Sequence, residues 1–345
     1  MKRFAALACV LCMLMTVLVG CGGGSGSGSG AEGETYTLKF ASQDAEELPT
    51  TQGMYWIAEQ VNERTDGAVT IDVYPANQLG EAKLLYEGIM DGSIDMYMGY
   101  LDSTYDKMFD MVAVPYLASN FDEIKYLCSE DSNLFKIYQE HCEGTDMKFL
   151  GFYLNGINAV FGTKEVKDYL DPSKSKGLLC RTAASETTKM GIEALGFSTV
   201  TIPWSDCYTS LQTGVMDCMT GIPSYQVAVT FGDIAKYYVP YNEFMEAQCI
   251  LMSPSTYDSL PQEYVDIIQE VCQEASLASV DESEANIAQG EKDLADMGIT
   301  VYEMTDEQRE EIAEYVRNET RPKLDEYFGA DNMALIDEDL ANAAK

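Results

Sequence analysis

Apolar and polar positions follow two alternating periods along most of this chain. Short apolar runs typical of strands occupy 36–41, 68–74, 94–99, 148–155 and 245–252. Between the first two runs, Met54, Ile57, Ala58 and Val61 recur at helical spacing, and 121–141 has the pattern of one helix. Strands that alternate with helices in this way predict an α/β fold with parallel strands.

One helical pattern is much longer than the others. Pro261 stands where a helix can begin, an apolar stripe runs from Tyr264 to Ala275 and continues toward Met297, and Gly298 suits the exit. A helix of about 35 residues would be roughly 50 Å long, which is more than one small domain needs. The pattern therefore predicts a helix that bridges two lobes.

The segment 177–223 contains two further strand–helix units. Its first strand ends on Arg181, and side chains at the carboxyl ends of strands in open α/β sheets point into the ligand crevice. A planar, permanently charged guanidinium suits a carboxylate. Arg181 is therefore the first candidate for ligand binding, with a structural ion pair at a hinge as the alternative.

The helix after the next strand brings aromatic candidates. Trp204 and Tyr208 flank its start, Ser205 is a plausible N-cap, and Asp206 lies in the first turn. The aromatic faces could wall a pocket, although Trp204 equally suits the core of a lobe. Gln212 lies in the last turn and is a further candidate for ligand binding. For Asp95 and Asp217 we favour a structural role.

Other polar residues lie where a predicted strand ends or a helix begins, which is where this architecture exposes side chains to a cleft. These pocket candidates are Gln43, Asp44, Tyr100, Asn155, Asn158, Tyr225 and Asn242. Ordinary surface positions are the alternative for each of them.

Several short motifs occur in a specific order along the chain. They are YTLKFA at 36–41, VYPANQLG at 73–80, GSIDM at 92–96, GLLCR at 177–181, EALG at 193–196 and LQTGVMD at 211–217. Together they resemble the DctP-type solute-binding proteins of TRAP (tripartite ATP-independent periplasmic) transporters. The resemblance implies a periplasmic-binding-protein-like fold: two α/β lobes joined by crossing strands, a long helix along both, and a ligand between them.

The same resemblance implies the domain bounds and the partners. Lobe I would comprise 35–154 plus about 244–280, and lobe II 155–243 plus about 281–345. The partner would be a permease made of a small and a large TRAP membrane subunit. The ligand would be a small organic acid held by Arg181.

Two departures from the family pattern narrow the range of ligands that the resemblance implies. Where many members have Asn-Gly-x-Arg, this chain has Asn155-Gly156-Ile157-Asn158, so the second arginine is absent. Where the family often continues Asp-Gly-x-Glu-Asn-Pro, residues 217–223 are DCMTGIP. A monocarboxylate, or a partly neutral molecule held by tyrosines and asparagines, fits better than a dicarboxylate.

The N-terminal segment predicts export and a lipid anchor. Lys2 and Arg3 precede an apolar run that ends in Leu-Val-Gly before Cys21, the pattern of a lipoprotein signal over 1–20. Cys21 would become the lipidated N-terminus, and the Gly/Ser-rich segment 21–34 a flexible tether. The expected location is extracytoplasmic, on the cell membrane, with a plain secreted chain as the alternative.

The chain is strongly acidic, with 22 Lys and Arg against 57 Asp and Glu, a net charge of −35. Without Lys2 and Arg3 the count is 20 against 57, or −37. This balance excludes nucleic acid as a partner. Because such a field repels anions at long range, capture of an anion must depend on local cations such as Arg181.

Seven cysteines remain once Cys9, Cys12 and Cys21 are set aside, and none forms a C-x-x-C pair. The odd number predicts buried free thiols, with a Cys128–Cys142 bridge as the alternative. His141, the only histidine, has no ligand partners at zinc spacing. We expect neither a metal nor a cofactor.

The absence of common catalytic motifs argues against an enzyme. The sequence has no G-x-S-x-G and no H-E-x-x-H, and a single histidine disfavours a Ser-His-Asp site. A carboxylate-only extracellular hydrolase and a ligand-sensing lipoprotein of the same fold remain alternatives. The main prediction is a membrane-tethered capture protein without enzymatic activity.

Overall fold

The computed structural model describes residues 34–343. The predicted signal segment, Cys21 and the Gly/Ser stretch lie outside these residues. Among the helices that the structure describes, none combines the length and the apolar character needed to cross a bilayer.

Strands and helices alternate along the described chain. The strands are β1 Tyr36–Ser42, β2 Val69–Tyr74, β3 Met96–Gly99, β4 Lys148–Ile157, β5 Val160–Gly162, β6 Leu179–Thr182, β7 Ser198–Thr201, β8 Cys218–Met219, β9 Tyr237–Val239, β10 Met245–Met252 and β11 Thr300–Val301. The helices are α1 Pro49–Arg64, α2 Ala82–Asp91, α3 Phe121–Leu127, α4 Asn133–Glu143, α5 Glu186–Ala194, α6 Trp204–Thr213, α7 Ser224–Phe231, α8 Pro254–Ser259, α9 Gln262–Asp296, α10 Asp306–Phe328 and α11 Ala330–Ala343. A 3₁₀ turn covers Lys107–Ala113.

The strands form two sheets, and the chain crosses between them three times, the last time through helix α9. The first sheet has the order β2-β1-β3-β10-β4 and the second β11-β9-β5-β8-β6-β7. Strand β4 leads directly into β5, and β9 leads into β10, so two chain segments pass from one sheet to the other. The prediction of a two-lobed α/β fold with crossing strands is confirmed.

The expectation of parallel strands holds for part of each sheet only. β1 pairs in parallel with β2 and β3, but β10 runs antiparallel to both β3 and β4. In the second sheet, β5 is antiparallel to β8 and β9. The antiparallel pairs arise because the two crossing segments run in opposite directions.

The long helix α9 packs against the cores of both sheets. Near its start, Ile268 and Val271 are buried with Met54 in a core beside the first sheet. Near its end, Leu294 is buried with Phe161 in a core of the second sheet. With 35 residues it is about 52 Å long, and the predicted bridging helix is confirmed.

The single helix predicted over 121–141 is in fact two helices. Asn120 caps α3 by accepting from the Glu123 amide, and Ser132 caps α4 by accepting from the Phe135 amide. The interruption lies between Leu127 and Ser132. Apolar periodicity continues through it because both helices bury the same face.

All seven cysteines of the described chain are buried free thiols, so the alternative of a Cys128–Cys142 bridge is wrong. Burial raises the pKa of Cys128 to about 12. Nδ1 of His141 lies 2.6 Å from a carboxylate oxygen of Asp106, whose other oxygen caps the 3₁₀ turn.

Candidate functional site

Polar side chains from both sheets converge where β1, β3 and β6 end and where the crossing strands leave the first sheet. The connected residues are Asp44, Tyr100, Asn155, Asn158, Arg181, Tyr225, Gln226, Glu246 and Gln248. We call this set the cleft network. Six of its nine members were predicted from the sequence.

Arg181 is the cation of the cleft network. It lies in β6 beside Val200 and Met219, its side chain is buried, and Nε donates to the Ile202 carbonyl at 2.9 Å. Among residues 34–343, no carboxylate oxygen lies within 4.0 Å of its guanidinium. Burial lowers the pKa of Arg181, while Cys207 and Glu246 oppose that effect. A buried, unpaired cation is costly, and an anionic ligand would compensate it.

Gly221 lies beside the guanidinium of Arg181. A Cβ at Gly221 would lie 3.5 Å from Nη1 of Arg181, an ordinary contact distance, but the backbone φ of +112° strains any other residue. The backbone conformation, and not lack of space, therefore requires glycine here. Gly221 lies in the stretch after Asp217 where this chain departs from the family pattern.

Glu246 is an acidic member of the cleft network that sequence reasoning missed. It lies in β10, and Nδ2 of Asn158 donates to its carboxylate. Burial raises the pKa of Glu246 to about 7, against hydrogen bonds from Tyr100 and Asn158 and the charge of Arg181. A signal was present in the sequence, because Glu246 and Gln248 stand two apart in an otherwise apolar strand and so share one face.

Asp44 and Gln248 form a second carboxylate–amide pair. Nε2 of Gln248 donates to Oδ2 of Asp44 at 2.7 Å, and the Thr50 hydroxyl donates to the same oxygen. Burial raises the pKa of Asp44, although both hydrogen bonds favour its ionised form. Gln248 is almost fully buried. Its hydrogen bond to Asp44 connects the end of β1 with the middle of β10.

Asn155 connects the two sheets, and a β-bulge aims it into the cleft. Glu246 pairs with Gly156 but Ala247 pairs with Leu154, so Asn155 is the extra residue. Its Nδ2 lies 3.2 Å from the Tyr100 hydroxyl and 3.3 Å from Oε1 of Gln226. The Tyr225 hydroxyl donates to the backbone and side-chain oxygens of Asn155. Gln226, also missed, is the next residue of α7.

The aromatic candidates lie apart from the cleft network. Trp204, 46% exposed, packs edge-on against Phe231 at 5.8 Å between centroids, and Tyr208 stacks on the same ring. The Tyr208 hydroxyl donates to Asp233 at 2.5 Å. Ser205 is not the N-cap, because α6 begins at Trp204 after Pro203 and has no side-chain cap.

Three further candidates also lie outside the cleft network. Gln212 is exposed in the last turn of α6, at the end farther from Arg181, and Gln43 is half-buried after β1. Asn242, with φ of 55°, lines a groove of about 460 Å³ together with Tyr116 and Arg309. Their common position at element ends did not bring them together.

Asp95 and Asp217, for which a structural role is predicted, accept hydrogen bonds from backbone amides of neighbouring strands. Asp217 accepts from the Leu179 amide at 2.9 Å and pairs with Lys164 at 2.7 Å. Asp95 accepts from the Lys39 amide at 2.8 Å and from the Thr256 hydroxyl at 2.6 Å. These contacts confirm the structural role.

Glu243, at the start of the second crossing segment, is a buried acid that sequence reasoning missed. The Thr220 hydroxyl donates to its Oε1 at 2.5 Å, while Oε2 has no partner among the described residues. Burial raises the pKa of Glu243 to about 8. Burial therefore favours the protonated form of Glu243 in the folded protein.

Comparison with known proteins gives a consistent result. A family model described as bacterial extracellular solute-binding protein, family 7 (DctP), matches residues 40–327. The chain is 24% identical over 318 residues to the C4-dicarboxylate-binding periplasmic protein DctP of Rhodobacter capsulatus, covering 88% of this chain and 90% of that protein. It is 23% identical over 303 residues to the 2,3-diketo-L-gulonate-binding periplasmic protein YiaO of Escherichia coli, covering 85% and 90%.

A solved structure shares the fold. The TRAP periplasmic solute-binding protein from Desulfovibrio salexigens, with bound orotic acid, superposes with a TM-score of 0.79 at 21% identity. The match covers 90% of this chain and all of that one, that is 100%.

Proposed function

This chain belongs to family 7 of the bacterial extracellular solute-binding proteins, the DctP family, and from that premise we propose that it captures a small organic acid between its lobes. We further propose that it delivers the acid to a TRAP-type permease of small and large membrane subunits. The observation that carries the proposal is the buried guanidinium of Arg181, which has no carboxylate partner in the described chain.

Carboxylate chemistry fits that guanidinium best. A carboxylate can accept two parallel N–H bonds from Nη1 and Nη2 and neutralise the charge at the same time. The relatives' printed ligands, C4-dicarboxylates, 2,3-diketo-L-gulonate and orotic acid, all contain a carboxyl group or its anion. Because Asn158 stands where the family's second arginine would be, one carboxylate of the ligand is clamped here.

The ligand contacts we propose follow the cleft network. Tyr100, Asn155, Asn158 and Tyr225 would orient the ligand beside Arg181, with Asp44 at the far side. The predicted contacts of Gln43, Trp204, Tyr208, Gln212 and Asn242 stay predictions, as do the domain bounds at 35–154, 155–243, about 244–280 and about 281–345.

Anchoring is a separate part of the proposal. We expect Cys21 to carry lipid and the Gly/Ser-rich segment to tether the protein to the membrane. In cells that express Cys21→Ser, the protein should move from the membrane fraction to the soluble fraction. Retention of Cys21→Ser in the membrane fraction would refute lipidation at this cysteine.

Isothermal titration of the purified protein tests the capture step. Carboxylic acids of two to eight carbons would be titrated into the wild type, Arg181→Ala and the surface control Arg64→Ala, which loses an exposed ion pair with Glu274. We expect at least one acid to bind the wild type and the control equally, and Arg181→Ala at least about 100-fold more weakly. If the acid bound Arg181→Ala as tightly as the wild type, the proposal that Arg181 clamps the carboxylate would be refuted.

The delivery step needs a cellular measurement. Uptake of the radiolabelled acid should require both this protein and the membrane subunits. Full uptake in cells that lack the protein would favour a sensing role instead.

A further inference from the structure

The cleft network contains two carboxylates but only one cation, Arg181. Two carboxylates, Asp44 and Glu246, each receive a hydrogen bond from one amide, Gln248 and Asn158 respectively. We call these four residues the acceptor cluster. They lie on the same side of the cleft as Tyr100, whose pKa burial raises together with the charges of Glu246 and Asp44.

The orientation of the two amides is fixed by their partners. An ionised carboxylate only accepts hydrogen bonds, so the NH₂ group of each amide must face it. The carbonyl oxygens, Oδ1 of Asn158 and Oε1 of Gln248, consequently point elsewhere. Both side chains are nearly inaccessible, at 0% and 1% exposure, and neither oxygen has a donor among residues 34–343.

Unpaired buried acceptors of this kind are rare, because a buried polar group without a partner is costly. In the described chain four buried amide or carboxylate oxygens lack a partner, and besides Asn242 Oδ1 and Glu243 Oε2 they are the two amide oxygens of this cluster, each beside a carboxylate. A ligand that donates several hydrogen bonds would satisfy them together. A second carboxylate on the ligand would only add acceptors.

The charges of the cleft lead to the same conclusion. Arg181 and Glu246 interact electrostatically, yet no oxygen of Glu246 is within 4.0 Å of the guanidinium. With Asp44 included, two anionic groups face one cation. A ligand that carried only a carboxylate would add negative charge beside Asp44 and Glu246, in a protein that is already strongly acidic. A positive charge on the ligand offsets that addition and favours the ionised form of Glu246, whose pKa burial raises to about 7.

We propose that the solute is zwitterionic, with its carboxylate on Arg181 and a primary or secondary ammonium group on the acceptor cluster. This inference rests on the proposed function, since it uses the same cleft and the same arginine. A primary ammonium offers three N–H donors. A quaternary ammonium offers none and would leave both amide oxygens unpaired.

Matched pairs of ligands test the proposal by isothermal titration of the purified protein. The pairs are L-alanine with L-lactate, L-glutamate with L-2-hydroxyglutarate, and γ-aminobutyrate with 4-hydroxybutyrate; N-trimethylated γ-aminobutyrate probes the need for N–H groups. We expect the amino form of at least one pair to bind at least 30-fold more tightly than its hydroxy partner. The trimethylated compound should lose at least tenfold relative to γ-aminobutyrate if that pair is the one that binds.

Charge-neutral variants of the acceptor cluster show whether it causes the preference. Glu246→Gln should lower the preference for the amino acid over its hydroxy partner at least tenfold, because the positive charge of the ammonium group loses its partner, and Asp44→Asn should act in the same direction. Glu274→Gln on the surface is the matched control and should bind as the wild type does. Circular dichroism verifies that each variant is folded, and either of the two cleft variants alone suffices for the test.

The outcomes separate this inference from the function it rests on. If hydroxy acids bind as tightly as amino acids or more tightly, and Arg181→Ala abolishes that binding, organic-acid capture stands and the zwitterion is refuted. An amino-acid preference that survives in both Glu246→Gln and Asp44→Asn also refutes it. If neither series binds, or if Arg181→Ala binds both normally, capture through Arg181 and the zwitterion fall together.

Discussion

Arg181 and Glu246 influence each other electrostatically without forming an ion pair. The charge of each favours the ionised form of the other, yet no nitrogen–oxygen distance between them falls within 4.0 Å. Since Arg181 is buried and Glu246 is partly buried, neither charge is fully compensated by the described residues. A structural salt bridge would bring the two groups into contact, and the lack of that contact has a consequence for stability.

Replacing Arg181 by methionine should increase stability while it abolishes binding. Methionine fills a similar volume without a buried charge, so we expect the free energy of unfolding without ligand to rise by about 1–2 kcal/mol. Urea unfolding measures this change, and titration with the bound acid measures the loss of affinity. The control Arg64→Met, which removes an exposed ion pair with Glu274, should change the free energy of unfolding by less than about 1 kcal/mol. A large destabilisation by Arg181→Met would instead mean that the guanidinium is structural.

Glu243 should make the protein less stable as the pH rises from about 5 to about 8. Burial raises its pKa from 4.5 to about 8, so between these values the folded state keeps a proton that the unfolded chain has lost. The free energy of unfolding therefore falls with pH in this window, and the contribution is fully present only below about pH 4.5. Glu246, with a pKa of about 7, acts in the same direction.

Urea unfolding of Glu243→Gln at pH 5 and pH 9 tests this assignment. The fall in unfolding free energy between the two pH values should be smaller than in the wild type by about 1 kcal/mol or more, because one raised pKa is worth at least that much. The exposed Glu307→Gln serves as the control and should retain the wild-type fall. An unchanged pH dependence in Glu243→Gln would show that Glu243 ionises normally.

Gly290 of the long helix α9 allows α7 to pack closely against it. A Cβ there would lie 2.3 Å from the Tyr225 amide nitrogen and 2.6 Å from Oγ of Ser224. Gly290→Ala must therefore push α7 away from α9 and displace Tyr225 and Gln226 from the cleft. We expect a loss of about 1–3 kcal/mol in stability, with at least tenfold weaker ligand binding by titration.

Gly144→Ala is the matched control for that variant. A Cβ at Gly144 would meet its nearest atoms at 3.5 and 3.6 Å, and its φ of −64° suits alanine. This variant should keep both stability and affinity. Normal binding by Gly290→Ala would mean that α7 does not position the ligand.

The sequence predicted those parts of the site that follow from strand ends. Arg181, Asp44 and Tyr100 each lie at or just after the carboxyl end of a parallel strand, so the general rule for open α/β sheets found them. The same rule also selected Gln43 and Asn242, whose side chains form none of the hydrogen bonds that connect the cleft network. Position at an element end does not determine which side the chain turns to.

The members of the cleft network that sequence reasoning missed lie within helices and strands. Glu246 and Gln248 occupy a buried strand whose apolar neighbours dominated the interpretation, and Gln226 lies within α7. The bulge that exposes Asn155 depends on the pairing of β4 with β10, which are almost one hundred residues apart in the chain. Such pairing cannot be deduced from local periodicity.

The break between α3 and α4 has a similar tertiary cause, and it leads to the last prediction. Asp339 of α11 is fully buried and accepts hydrogen bonds from the Asn133 and Leu134 amides at 2.8 and 2.9 Å, at the start of α4. It thereby caps one helix from another about 200 residues away. Asp339→Ala would leave these two amides without an acceptor.

We therefore expect Asp339→Ala to lower the free energy of unfolding by about 1–3 kcal/mol, the cost of unsatisfied buried donors and a lost helix cap. Asp339→Asn retains one carbonyl oxygen as acceptor and should lose roughly half as much. Glu338→Ala, the exposed neighbour on the same helix, controls for helix propensity and should change little. Because Asp339 is remote from the cleft network, ligand affinity measured by titration should stay at the wild-type value in all three variants. A loss of affinity at unchanged stability would contradict this assignment and show that α11 contributes to ligand binding.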